Sequence, residues 1–284
     1  VTLQPVDLVG VDAAIIFSDI LVIPEAMGLT YEMIPGKGPH FPATVRSQAE
    51  ASKLHPIEAT SNLDHTYEAL RIVKRELGGR VPLIGFAGAP WTIFCYMTEG
   101  GGSKTFSVAK SLIYRDPAFA HQLLQSITDA TITYLKGQIA AGADLVQIFD
   151  SWAGILNAPT FEEFSLPYMK QICDAIQEVP KTVFAKGAFF SLDKLDALDC
   201  NIVGLDWHTD VAWARKQLPS KALQGNLDPC LLYGSEASVR EATAEMLKAF
   251  PAGRHVANLG HGIYPDLPRQ NVIAMIETVK DFRY

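Results

Sequence analysis

The chain repeats one pattern, in which a short apolar run is followed by a longer segment with helical periodicity. This repeat constrains the fold strongly, because strands that alternate with helices form a parallel sheet with right-handed crossovers. The runs are apolar along their whole length, which is typical of strands covered on both faces. Seven runs are predicted to be strands: Ala13–Phe17, Val81–Phe86, Asp144–Phe149, Lys181–Ala185, Ile202–Leu205, Ala222–Gln224 and His255–Leu259.

Helical and turn signals separate these strands. The opening stretch VTLQPVDLVG indicates a helix that ends at Gly10. Within the long connection from Ile20 to Ser61, the stretch LTYEMIPGKGPHFPATV predicts a β-hairpin around Pro35–Pro39. Further helices are predicted over Asn62–Leu77, Lys104–Ile113, Pro117–Ala141, Thr160–Glu178, Ser191–Leu198, Val211–Gln217, Ser235–Ala249 and Pro268–Phe282.

Seven strand–helix units suggest an eighth, because a closed parallel barrel has eight units and about 250 residues. The sequence starts at Val1, without Met and inside an apparent helix, so we expect the first strand and an N-terminal segment to precede it. Residues 1–284 are then one (β/α)8 TIM-type barrel domain that lacks its N-terminal segment. The alternative is an open doubly wound sheet, but the first turn, FSDILVIP, lacks the Gly-rich fingerprint usual there.

Charge and cysteine content exclude several classes of function. The net charge of −7 argues against nucleic acid or an anionic membrane surface as a general partner. No run of eighteen apolar residues predicts a membrane span. The cysteines are far apart and indicate free thiols in a reducing, cytoplasmic compartment rather than disulfides or a zinc site. They are Cys95, Cys173, Cys200 and Cys230.

Polar residues follow the predicted strands, where the active sites of parallel barrels gather. We therefore expect them to converge on one mouth although they are far apart in sequence. They are Ser18, Asp19, the segment 88–91, Asp150, Ser151, Lys186, Gly187, Asp206, His208, Asp210, Asn226, Asp228, Gly260, His261 and Gly262.

Two of these residues are the strongest candidates. An ionised Asp19 only accepts hydrogen bonds, so at the centre of a mouth it suits a ring of donors or a cation. It could equally cap the next helix or pair with an arginine. His261 stands between two glycines, which let the backbone approach a ligand, and its ring can bind a carboxylate or move protons. It could also be an ordinary loop histidine.

Ser151 and Tyr96 offer hydroxyl groups, although each taken alone is more typical of a structural residue. Ser151 has no G-x-S-x-G elbow, so it is not predicted to be a hydrolase nucleophile. The stretch EGGGSKT does not match a phosphate loop, because Ser103 stands where that motif needs the glycine that precedes its lysine.

A metal site is conceivable among the strand-end residues, but no H-x-x-x-H or His/Cys spacing supports one and none is predicted. The residues that could contribute to it are Asp19, His208, Asp210, Asp228 and His261.

Six stretches of the chain resemble the uroporphyrinogen decarboxylase family, in the family's order and over nearly the whole length. They are DAAIIFSDILVIPEAMG, PLIGFAGAPWTIFCYMTEGGGSKT, GADLVQIFDSWAGIL, GLDW, LQGNLDP and NLGHGIYPD. The resemblance implies a single (β/α)8 barrel, commonly a homodimer. It also implies a carboxy-lyase that converts the four acetate side chains of uroporphyrinogen III to methyls, giving coproporphyrinogen III in heme and chlorophyll synthesis. No metal or organic cofactor is implied.

The resemblance also implies roles for four residues. Asp19 matches the family's central aspartate, which accepts hydrogen bonds from the pyrrole N–H groups and stabilises the transition state. Tyr96, Ser151 and His261 match its substrate-binding residues. The family's main arginines lie near the first strand, so we expect the carboxylate clamps and the general acid in the segment before Val1.

Two alternatives remain open at this point. A zinc-dependent methyltransferase of the same superfamily would need a thiolate close to His261, and Cys230 stands alone in DPCLLYG. A tetrapyrrole-binding protein without activity is the other alternative, because the main clamps are expected outside the sequence.

Overall fold

The computed structural model describes residues 1–57 and 62–283, and it places all seven predicted strands in one parallel sheet. The hairpin predicted around Pro35–Pro39 is confirmed as a separate antiparallel pair. The strands are β1 Ala14–Ile15, β2 Glu32–Ile34, β3 Gly38–His40, β4 Leu83–Gly88, β5 Leu145–Asp150, β6 Lys181–Ala185, β7 Ile202–Gly204, β8 Ala222–Leu227 and β9 His255–Leu259.

The order of the strands decides between the two predicted architectures. Within the sheet the order is β1-β4-β5-β6-β7-β8-β9, so every new strand is added on the same side. Right-handed crossovers that never reverse direction place all the helices on one face, and the sheet must curl around its other face. This is the winding of a TIM-type barrel, and the doubly wound alternative is wrong.

The predicted helices are confirmed, with one correction. The single helix predicted over Thr160–Glu178 is two helices that meet at Ser165, just before Pro167. The described helices are α1 Gln4–Val9, α2 Val22–Ala26, α3 Gln48–Ala51, α4 Asp64–Leu77, α5 Pro90–Glu99, α6 Ser107–Arg115, α7 Pro117–Ala140, α8 Ala158–Phe164, α9 Leu166–Ala175, α10 Leu192–Asp196, α11 Val211–Gln217, α12 Glu236–Ala249 and α13 Arg269–Asp281.

The first helix ends as predicted, because Gly10 takes a left-handed conformation with φ of 77° and closes α1. The end of the long connection from Ile20 to Ser61, residues 58–61, lies outside the described residues. Among the described helices, none combines the length and the apolar character that a bilayer crossing requires.

The core lies between the outer face of the sheet and the helices, and α5 and α7 are its main elements. Trp91 of α5 and Tyr134 of α7 are fully buried there. Gln138 ties α7 to β4, because its side chain accepts from the Phe86 N–H at 2.9 Å and donates to the Phe86 carbonyl at 2.8 Å. This packing fixes α5 against the carboxyl ends of β4 and β5, where the predicted site lies.

Candidate active site

A cavity of about 880 Å³ is lined by residues of the curled sheet and by residues of α12 and α13. Pro82 and Ile202 line it at the amino ends of the strands, and Ser151 and His261 line it at the carboxyl ends. Its volume lies in the upper part of the range of roughly 300–1000 Å³ found for ligand cavities. The structure therefore brings two of the four predicted site residues, Ser151 and His261, into one wall.

Asp19 follows β1 and is half-buried. Its Oδ1 accepts a hydrogen bond from the Leu21 N–H at 2.8 Å, so the predicted alternative of a local cap holds for one oxygen. In the part of the chain that the structure describes, no lysine, arginine or histidine forms an ion pair with Asp19, so the predicted arginine partner is not found there. One carboxylate edge therefore remains available to an external donor.

Tyrosine side chains surround Asp19. Burial raises the pKa of Tyr31 to about 12, and the Asp19 and Glu25 carboxylates add to the effect. Burial likewise raises the pKa of Tyr134 to about 12, and Asp19 is among the smaller causes. At neutral pH these phenols keep their protons and carry no charge.

Tyr96 is one of the two residues of α5 that are not buried, the other being Glu99. Its ring meets Trp152 with centroids 6.3 Å apart and Phe106 at 5.8 Å. Burial raises the pKa of Tyr96, the neighbouring Trp152 lowers it, and Asp19 raises it again. Asp19 is therefore within electrostatic reach of Tyr96.

Ser151 and Asp150 are neighbours in sequence but face opposite sides of the sheet. Ser151 lines the cavity, whereas Asp150 is fully buried among the helices. Asp150 accepts hydrogen bonds from the Thr92 hydroxyl at 2.6 Å and from the Ser165 hydroxyl at 2.5 Å. The prediction that Asp150 belongs to the mouth is therefore wrong, because side chains alternate between the faces of a strand.

His261 has an accessible ring at the mouth, where Phe184 lies with its ring centroid 6.4 Å away and Trp207 with its centroid 6.2 Å away. The pKa of His261 is lowered, because the surrounding protein disfavours the imidazolium and the Lys186 ammonium repels it. A hydrogen bond with the Gly262 backbone and the Asp206 carboxylate act in the opposite direction. A histidine of this kind is largely neutral near pH 7 and can donate one N–H to a ligand.

The remaining strand-end carboxylates have structural roles. Asp210 Oδ1 accepts from the Trp213 N–H at 2.7 Å and caps α11. Asp228 Oδ1 accepts from the Cys230 N–H at 2.8 Å and opens a short 3-10 turn. Across the described residues, no group of three or more His, Cys, Asp or Glu side chains is placed to hold a metal ion. The candidate set of five metal ligands is therefore not assembled.

A sequence model of the family described as uroporphyrinogen decarboxylase (URO-D) matches residues 1–282. The chain belongs to the uroporphyrinogen decarboxylase family. A uroporphyrinogen decarboxylase of Chlorobaculum parvum is 48% identical over 290 residues, covering 99% of this chain and 83% of the relative. One of Ovis aries is 46% identical over 289 residues, covering 98% of this chain and 79% of the relative.

Solved structures support the fold. A methyltransferase from Methanosarcina mazei superposes with a TM-score of 0.80 at 20% identity, covering 99% of this chain and 83% of that one. A B12-independent methionine synthase from Shewanella gives a TM-score of 0.65 at 11% identity, covering 98% of this chain and 84% of that one. At such low sequence identity, these two similarities support the barrel fold and say nothing about the reaction.

In this member of the uroporphyrinogen decarboxylase family, the predicted site residues form two pairs. Asp19 follows β1 and is within electrostatic reach of Tyr96 on α5, and Ser151 and His261 lie in the cavity wall. Trp152 joins the pairs, because it follows Ser151 in the chain and its ring contacts Tyr96. One side of the site thus offers a fixed anion, and the other offers N–H and O–H donors.

Two aromatic residues of the mouth were not predicted as site residues. Trp152 follows Ser151, and Trp207 follows Asp206 within GLDW, a stretch noted only for its family resemblance. The sequence could have indicated both residues, because a large aromatic residue that directly follows a barrel strand stands at the mouth. Periodicity alone does not reveal which of them faces the opening.

Proposed function

We propose that this chain removes carbon dioxide from the four acetate side chains of uroporphyrinogen III and releases coproporphyrinogen III. Membership of the uroporphyrinogen decarboxylase family supports the reaction. The structural observation that supports this reaction concerns Asp19. It is a strand-end carboxylate beside the mouth, and in the described residues no protein cation is bound to it. Such an anion suits a ring of N–H donors better than it suits a purely structural role.

The chemistry follows from the electronic structure of the substrate. A carboxylate attached through CH2 to a pyrrole loses CO2 only when the electron pair of the breaking bond has a destination. Protonation of the ring carbon next to the one that bears the acetate makes the ring a cation, and that cation accepts the electron pair as the C–C bond breaks. The methylene carbon then takes a second proton and becomes a methyl, while the protonated ring carbon releases the first proton and the pyrrole is restored. The substrate therefore supplies the electron sink that an organic cofactor supplies elsewhere.

Asp19 acts in this scheme as an electrostatic anchor rather than as a proton donor. Its carboxylate accepts hydrogen bonds from the pyrrole N–H groups and lies close to the positive charge that develops in the ring. In a site with little water, a fixed charge of this kind contributes on the order of 3 kcal/mol to the stabilisation of a transition state. Tyr96, Ser151 and His261 bind the rest of the macrocycle and its side chains.

We also propose that residues 1–284 form one barrel domain that works in the cytoplasm as a homodimer. The single sheet that contains all seven parallel strands supports one domain. The free state of the described cysteines is compatible with a reducing compartment. Sedimentation velocity of the purified protein tests the dimer directly, and a monomer at micromolar concentration would contradict it.

The decisive assay is anaerobic incubation with uroporphyrinogen III, followed by chromatographic separation of the products with seven to four carboxylates. We expect the four-carboxylate product to accumulate with time. Binding of coproporphyrinogen without any loss of CO2 would instead indicate a tetrapyrrole-binding protein. One zinc ion per chain, together with methyl transfer to a thiol, would indicate the methyltransferase alternative.

Tyr96→Phe and Ser151→Ala are each expected to lower kcat/KM by about 2- to 10-fold. Each substitution removes one hydroxyl from the mouth, and a hydrogen bond contributes about 0.5–1.5 kcal/mol. Tyr114→Phe is the matched control, because Tyr114 is exposed on α6 and is not a predicted site residue. A loss of 100-fold or more in Tyr96→Phe would contradict a binding role and indicate participation in proton transfer.

His261→Asn is expected to raise KM about fivefold and to change kcat little. The neutral ring donates one N–H to the substrate in this proposal, so its loss weakens the bound state and the transition state alike. His65→Asn on the exposed side of α4 is the control. If kcat falls at unchanged KM, His261 takes part in the chemical step and the binding role is wrong.

A further inference from the structure

Three side chains converge where β6, β7 and β9 end. The Lys186 ammonium lies over the indole of Trp207, 5.6 Å from the ring centroid. The His261 ring meets the same indole edge to face, with centroids 6.2 Å apart and an angle of 86° between the planes. A cation, an aromatic face and an imidazole thus share one side of the mouth, and His261 also lines the cavity.

A buried carboxylate holds this group together. Asp206, which is 3% exposed, accepts from the Gly187 N–H at 2.6 Å and from the His208 N–H at 3.0 Å. It also accepts from the Thr209 hydroxyl at 3.2 Å. One side chain therefore ties the turn that carries Lys186 to the turn that carries Trp207.

The turn after β9 is in contact with the same group. A Cβ placed on Gly260 would lie 2.4 Å from the Trp207 backbone nitrogen, so a side chain at this position would force the two loops apart. The absence of a side chain lets the backbone that carries His261 approach Trp207. The three loops are packed before any ligand arrives, which lowers the cost of ordering them on binding.

The charge of Lys186 has no protein counterion. In the described part of the chain its ammonium forms no ion pair with a carboxylate, and it contacts the Trp207 ring on one side. The buried Asp206 carboxylate already accepts three hydrogen bonds from the loops. A lysine that is half-buried and stacked on an aromatic ring still has ammonium N–H groups that can donate hydrogen bonds, and an anion is the group that accepts them best.

We propose that Lys186, Trp207 and His261 form a subsite that binds one carboxylate of the tetrapyrrole. The Lys186 ammonium pairs with the carboxylate, the His261 N–H donates to it, and Trp207 positions the ammonium. This inference rests on the proposed function and adds to it a basic contact for a substrate rich in carboxylates, on a chain of net charge −7. The subsite acts on the periphery of the macrocycle, whereas Asp19 acts on its centre.

The test compares Lys186→Gln with Lys216→Gln, which removes the same charge from the exposed side of α11. We expect Lys186→Gln to raise KM for uroporphyrinogen about tenfold with kcat within about twofold of the wild type. Lys216→Gln leaves both values unchanged. Lys186→Arg keeps the positive charge and can stack on the indole, so it retains most of the affinity.

Two further variants examine Trp207. Trp207→Leu is expected to raise KM about threefold, whereas Trp207→Phe keeps a ring face under the ammonium and stays closer to the wild type. Circular dichroism and the unfolding temperature verify that each variant folds. Equal KM values for Trp207→Leu and the wild type would overturn the positioning role of the indole.

Direct binding of coproporphyrinogen under anaerobic conditions separates this subsite from the reaction itself. If the wild type decarboxylates uroporphyrinogen and Lys186→Gln binds coproporphyrinogen as tightly as the wild type does, the subsite is wrong and the proposed function stands. If the wild type binds without decarboxylation and Lys186→Gln binds about tenfold more weakly, the reaction is wrong and the subsite stands. An equal loss of affinity in Lys216→Gln would overturn the subsite, because the effect would then come from net charge alone.

Discussion

Asp19→Asn is expected to lower kcat for uroporphyrinogen decarboxylation by about 100- to 1000-fold while the protein remains folded. The magnitude is that of removing one preorganised electrostatic group from a site with little water. An amide cannot balance the positive charge that develops on the protonated pyrrole, although it can still accept a hydrogen bond. The loss therefore appears in kcat more than in KM.

The fold should tolerate this substitution. Asp19 accepts a hydrogen bond from the Leu21 N–H, and the amide oxygen of asparagine can accept the same hydrogen bond. Asp228→Asn is the matched control. Asp228 also follows a strand, and its Oδ1 accepts from the backbone N–H two residues later at the same 2.8 Å. We expect near-normal kcat in Asp228→Asn. If Asp19→Asn also has a near-normal kcat, the proposed electrostatic role of Asp19 is wrong.

The barrel could be predicted from the sequence because its signals are local and repeated. Seven apolar runs, helical periodicity between them and Gly10 after the first helix each follow from the geometry of the backbone. The error at Ser165 had a sequence signal, since Pro167 two residues later disfavours a continuous helix. The strand order follows from winding in one direction, so the architecture can be predicted without knowing any side-chain contact.

The site was less predictable, because position at a strand end does not fix which way a side chain points. Asp150 and Ser151 are adjacent, yet one is buried behind the sheet and the other lines the cavity. Asp206 follows a strand as Asp19 does, but it is buried as a clamp between loops. Tyr96 lies in a helix that is otherwise almost entirely buried, and only the packing of α5 shows that it is the residue facing the mouth.

Asp150→Ala is expected to reduce the free energy of unfolding by about 3 kcal/mol. The substitution leaves the Thr92 and Ser165 hydroxyls without their acceptor and opens a small cavity between β5 and the helices. For a protein of this size, such a loss lowers the unfolding temperature by about 5 °C. Calorimetry and urea unfolding measure the effect, and Asp12→Ala, at a strongly exposed carboxylate, is the control.

The pH dependence of this stability distinguishes a buried charge from a simple packing contact. Burial raises the pKa of Asp150 to about 6, while hydrogen bonds from Ser165, Thr92 and the Trp152 backbone limit the rise. The unfolded chain has the ordinary value of about 3.9, so between about pH 4 and pH 6 the folded protein holds a proton that the unfolded chain has released. Stability from this group is fully present below about pH 4 and falls as the pH rises through 6, by about 3 kcal/mol in all.

Asp150→Asn isolates that contribution, because asparagine has the same shape and does not ionise in this range. The difference in unfolding free energy between the wild type and Asp150→Asn should therefore shift by about 3 kcal/mol in favour of the variant between pH 4 and pH 7. Asp150→Ala should be less stable than Asp150→Asn at every pH, since it also loses the acceptor and the volume. If the unfolding free energies of the wild type and Asp150→Asn differ by a constant amount across this range, Asp150 ionises at the same pH in the folded and the unfolded protein. The hydroxyls and the Trp152 N–H would then fully offset the effect of its burial.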